Sequence, residues 1–197
     1  MATTSDFIPD IRIEIADLFD EKVEQYLRET MIDFATKTGC LTANAEIELD
    51  AGEWDSVVEI ETMSTETPIK TLWVKRNDQY LTETGFNGGQ YGDPLRYKDM
   101  GAKLIFDKAP DELIYMTALC MVKPKHNATN FNNLFLTDHK EAIQQGALYR
   151  VCMTPGGRWF NPEMGQFHKV NYDNLLRQAK AAVITAHHSH VQPVRFV

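Results

Sequence analysis

Cysteine is scarce in this chain: Cys40, Cys120 and Cys152 are the three in 197 residues, far apart and without a CxxC among them. That argues against a zinc ribbon and a disulfide scaffold, and leaves reduced, buried thiols as the reading. Basic residues are also short, with Lys+Arg 20 against Asp+Glu 28 and a formal net charge of −8. A dedicated binder of DNA or of an anionic membrane needs a dense field of Lys and Arg, so any contact with nucleic acid is expected to be local or repulsive. No stretch approaches the ~20 apolar residues of a membrane span. The opening MATTSDFIPDIRIEIADLFDE is acidic and lacks the basic and apolar regions of an export signal. These absences predict a soluble protein assembled in the cytoplasm, with no membrane partner.

Catalytic signatures are missing as well. There is no GxSxG; Ser56 falls in a predicted strand and Ser189 near the C-terminus, neither on a nucleophile turn. The stretch GFNGGQYG follows a strand but has no GKS or GKT and no helix after it, so a phosphate cradle is not indicated.

What is present is an ordinary globular composition, 43% hydrophobic and 24% charged, in a length that suits one domain or one domain with an insertion. Val23, Leu27, Met31 and Phe34 recur at near-helical spacing after Asp20, a candidate cap, and Gly39 in KTGC is a natural stop. A helix is predicted over 21–38. From Leu41 the period changes to two: Ala45, Ile47 and Leu49 alternate with Asn44, Glu46 and Glu48. Further strands are predicted at SVVEIE, IKTLWV, QYLTE, PLRYK, AKLIF and DELIYMTALCMV. In the last of these Leu113, Tyr115, Thr117, Leu119 and Met121 share a face. About six strands with short turns make a small antiparallel sheet or sandwich. Residues 82–94, rich in Gly and Asn, read as an exposed loop.

Helical signals return after KPKHNATNFNN. Asp138 with Glu141 resembles a capping box ahead of Ile143, Ala147, Leu148 and Val151. Asn161 and Pro162 then form a cap and first-turn pair. Phe167, Leu175, Ala179, Ala182 and Val183 carry a long helix to about 186. The PGGRW turn between the two makes an α-hairpin. The fold class expected is α+β: a helical bundle from residues 1–40 and 126–186, an inserted antiparallel β domain over 41–125, and an extended C-terminal tail over 187–197.

Three clusters could carry chemistry. HHSH supplies His187, His188 and His190, and imidazole is the commonest transition-metal ligand, but a helix end near the terminus favours a solvated or partner-contacting tail. His126, His139 and His168 stand alone and read as surface or capping residues. Glu46, Glu48, Asp50, Glu53 and Asp55 crowd one hairpin, where alternating carboxylates read as a solvated strand face. Trp54, Trp73, Tyr80, Phe86, Tyr91 and Tyr97 gather in the β region as in a stacking face, although strands favour aromatics anyway. No metal, cofactor or catalytic residue is assigned. A small metal-dependent hydrolase using His187 and His188 with a carboxylate of the β region is the enzymatic alternative.

Two blocks carry a family resemblance. VEQYLRETMIDFATKTGCL is similar to the opening helix of the head-to-tail adaptor, or connector, proteins of tailed bacteriophages, which include tail tubular protein A-like proteins. EAIQQGALYRVCMTPGGRWFNPEMGQFHKVNYDNLLRQAKAA resembles that family's helix with Gly-Ala-Leu, its Pro and Trp turn with Asn-Pro, and its final long helix. The alternating segment between the blocks fits the family's inserted β domain. The polar connection KPKHNATNFNNLFLTD and the His-rich tail depart from the pattern.

The resemblance implies a structural virion protein without catalytic activity, located at the head-tail junction. It would form a homo-oligomeric ring, usually of twelve copies, beneath the portal protein. The ring would extend the DNA channel and present a landing surface to the next tail or nozzle protein, with genomic DNA passing through unread. The tail residues His190, Val191, Pro193, Val194, Arg195, Phe196 and Val197 are the candidate portal contact. Phe86, Asn87 and Tyr91 are the candidate contact with a neighbouring subunit or the tail. A tail-terminator or other tail or baseplate component is the structural alternative. The thin cores of a small bundle and a small sheet predict a modestly stable subunit that assembly stabilises.

Overall fold

The computed structural model describes all residues except 16–17, 52–56, 63–64, 84–94, 108–109 and 189–197, and all described side chains except those of Val57, His187 and His188. The fold is α+β and divides into two compact units. One comprises Met1–Cys40 with the described part of Pro124–Val197; the other is Leu41–Lys123. Among the described residues no helix is long and apolar enough to cross a membrane.

The first unit is helical. A short strand β1 (Ala2–Thr3) pairs antiparallel with β10 (Asn130–Phe131). The Thr3 backbone N–H and hydroxyl both donate to Asp6 Oδ2, at 2.7 and 3.0 Å, and hold the carboxyl of Asp6 below its ordinary pKa. Helix α1 (Ile8–Glu14) follows, with Pro9 in its first turn. Helix α2 (Asp20–Thr38) matches the predicted span within one residue: Phe19 is the N-cap and Asp20 is already helical. Gly39 closes it at φ 68, where an L side chain is strained, and its N–H donates to the Ala35 carbonyl at 2.9 Å.

Helix α3 (Leu134–Thr137) is a single turn, and α4 (Lys140–Cys152) follows it. The Asp138–Glu141 capping box does not form. The α4 N-cap is His139, and Asp138 is spent ending α3, so neither carboxylate is placed to satisfy the N–H groups of α4. Helix α5 (Pro162–His188) starts as its sequence predicts: Asn161 Oδ1 accepts from the Met164 N–H at 3.2 Å with Pro162 in the first position.

The helices meet around Gly146. A Cβ placed there would lie 2.4 Å from Thr30 Cγ2 of α2 and 2.9 Å from the Tyr172 ring of α5. Close approach of the three helices therefore requires glycine at this point. Polar bonds surround the contact. Arg150 Nε donates to Thr30 Oγ1 at 3.2 Å, the Tyr172 hydroxyl donates to Asp33 Oδ2 at 2.9 Å, and Tyr26 and Thr154 hydroxyls share a 2.7 Å bond. Burial, reinforced by the Asp33 carboxylate, pushes the Tyr172 phenol well above its ordinary pKa.

The second unit holds eight strands among the described residues: β2 (Thr42–Leu49), β3 (Val57–Glu59), β4 (Glu66–Arg76), β5 (Gln79–Tyr80), β6 (Thr82–Glu83), β7 (Arg96–Asp99), β8 (Lys103–Phe106) and β9 (Ile114–Pro124). They form two four-stranded sheets, β2-β9-β4-β5 and β3-β8-β7-β6, in which β6 runs parallel to β7. Asn77 and Asp78, both at positive φ, make the tight turn between β4 and β5, a geometry these two residue types tolerate best after glycine.

Strand β9 buries Ile114, Met116, Ala118, Cys120 and Val122, the face opposite to the set Leu113–Met121 noted in the sequence. Both faces of this strand are apolar, so its own alternation does not choose one. The pairing with β2 does, since Ala45, Ile47 and Leu49 stand opposite Ala118, Met116 and Ile114. The two sheets are tied by Asp99, whose carboxylate accepts from the Thr71 N–H at 2.9 Å, the Thr71 hydroxyl at 3.3 Å and the Gly101 N–H at 2.8 Å.

Gly146→Ala should destabilise the protein by about 1–3 kcal/mol, the usual cost of overpacking, measured as a lowered midpoint of chemical unfolding. An unchanged midpoint would show that the three helices are free to separate.

Candidate functional site

The connection between α4 and α5 walls a hollow in the helical unit. Gly156 sits at φ 79, the Asn161 N–H donates to the Cys152 carbonyl at 3.0 Å, and a Cβ on Gly165 would lie 2.8 Å from Met153 Sδ and 3.3 Å from Cys152 Cβ. This tight return leaves a cavity of about 280 Å³ whose wall includes Glu14, Ile15, Cys152, Trp159, Met164 and His168. Thiol, imidazole and carboxylate in one hollow raise the question of catalysis.

Burial shifts the thiol and the imidazole toward their neutral forms. Burial, with a smaller push from Glu14, raises the Cys152 thiol above its ordinary pKa. Burial lowers His168, against a weaker pull from Glu14. Both groups are therefore neutral near pH 7, whereas a catalytic thiol is ionised by its base. His168 is 2% exposed, with Nδ1 hydrogen-bonded to Gln145 Oε1 at 2.8 Å, so the expected surface or capping role is corrected: it is a satisfied core histidine. His139, expected at the surface or in a cap, is the α4 N-cap residue, though its side chain makes no capping bond, and its ring packs on Phe34 at 4.9 Å.

In the β unit the aromatics divide. Tyr97 is buried, and burial, with Glu83 and Asp99 near it, pushes its phenol up to about 12. Trp73 and Tyr80 meet edge to face at 5.9 Å, and the Lys75 ammonium stands 4.9 and 4.5 Å from the two ring centres. The rings thus already have a cation and each other as partners. Trp54, Phe86 and Tyr91 lie outside the described residues, as do Asn87, Glu53 and Asp55. Glu46, Glu48 and Asp50 are exposed. Glu46 and Glu48 stand opposite Thr117 and Tyr115 across β2 and β9, on the solvated side of the sheet, where a depression of about 530 Å³ lies.

Among the described residues no group of three His, Cys, Asp or Glu side chains converges as metal ligands. His187 and His188 end α5, their side chains outside the description, and His190 with the remaining tail candidates Val191, Pro193, Val194, Arg195, Phe196 and Val197 lies outside it entirely.

What the helical unit does present is apolar surface. Phe167, placed by sequence in the buried stripe of α5, is 57% exposed, and Val170 is 49% exposed; the stripe that is buried runs through Gly165, His168, Tyr172 and Ala179. Ile13 on α1 and Phe19 at the start of α2 are 84% and 76% exposed. A helix that is apolar on its outward side as well as its inward one is equipped for contact with another surface. The spacing of Phe167 and Val170 relative to His168 and Tyr172 was readable as a second face, but not which face the bundle would cover.

The buried histidines set a pH dependence. Unfolded His takes up a proton near 6.5, while folded His168 and His139 resist it to lower pH. Stability should therefore be level above about pH 6.5 and fall as pH drops below it, and His168→Gln should flatten that slope. Urea unfolding across this range checks it; a slope unchanged by the substitution would assign the effect elsewhere.

Comparison with known proteins adds no assignment: no family model matches the chain, and no curated protein is significantly similar to it.

Proposed function

We propose that the protein is a structural virion component, a head-to-tail adaptor that forms a ring beneath the phage portal, extends the DNA channel and offers the attachment surface for the tail. The observation that carries the reading is the order of parts. Helix α2, a two-sheet β insertion, α4, the Pro155–Trp159 turn, the 27-residue α5 and a further C-terminal segment follow one another as in the resembling family.

Surface properties support it. Residues 41–123 carry fifteen acidic against eight basic side chains, so this unit holds most of the chain's net charge of −8. Repeated around a ring, that charge repels DNA and lets it slide without specific contact. The exposed apolar residues of α1, α2 and α5 suit a protein whose working parts are interfaces, and the neutral Cys152 and His168 give no support to a nucleophilic enzyme.

In this reading the tail orders on binding the portal, with Val194, Phe196 and Val197 as apolar anchors flanked by His190, Val191, Pro193 and Arg195. In the same reading Phe86, Asn87 and Tyr91 meet a neighbouring subunit or the tail.

Deleting residues 190–197 should abolish co-sedimentation with portal rings while leaving the unfolding midpoint of the subunit within error. Normal co-sedimentation of the truncated chain would refute the tail's role.

A further inference from the structure

We draw no further inference here: the strongest candidate, the depression on the solvated face of the β2-β9-β4-β5 sheet walled by Glu46, Glu48, Asp78 and the exposed Tyr115, is a cluster of acidic side chains beside one ring, and nothing in the structure shows what occupies it.

Discussion

The close approach of α2, α4 and α5 at Gly146 is the constraint on which the helical unit depends. There is no room for a methyl group between Thr30 and Tyr172, and the bonds from Arg150 to Thr30 and from Tyr172 to Asp33 are aligned only when the helices are that near. Two of the helices follow the β insertion in the chain and one precedes it, so this contact reunites a divided bundle. The insertion makes the closure inexpensive. Its first and last strands are neighbours, from Thr42 opposite Met121 to Leu49 opposite Ile114, and the Val122 N–H donates to the Leu41 carbonyl at 3.0 Å. The β unit thus brings its own two ends together, and α2 and α4 do not bear the entropy of closing a long loop.

Local rules made much of this legible. Gly39 as a left-handed stop, Asn161–Pro162 as a start, and the alternation from Ala45 to Leu49 each depend on backbone geometry or on a single face, and each appears where its chemistry puts it. Choices made by tertiary partners were less legible. The buried face of β9 is set by β2, the burial of His168 by Gln145 and the α4–α5 return, and the loss of the Asp138 cap by the extra turn of α3. The short α1 went unread because its seven residues are too few for a period to stand out, although Thr3 and Asp6 mark the turn before it. The candidate site divides in the same way. Residues 82–94 and 187–197 stand out by composition alone and lie largely outside the described residues, whereas the outward face of α5 emerges only when the inward one is known.

The hollow beside the α4–α5 return, which gathers a thiol, an imidazole and a carboxylate, holds the first two neutral, and the aromatic pair of the β unit has Lys75 over its rings. Acidic charge is concentrated in residues 41–123, and Ile13, Phe19, Phe167 and Val170 are exposed.

The most direct measurement is a cryo-electron microscopy reconstruction of the protein mixed with its portal, sorted by rotational symmetry. The adaptor account predicts a closed ring, with twelve-fold symmetry as the expected case, and C-terminal residues seated in the portal. Single copies that ignore the portal, with a metal held by His187, His188 and His190, would contradict it.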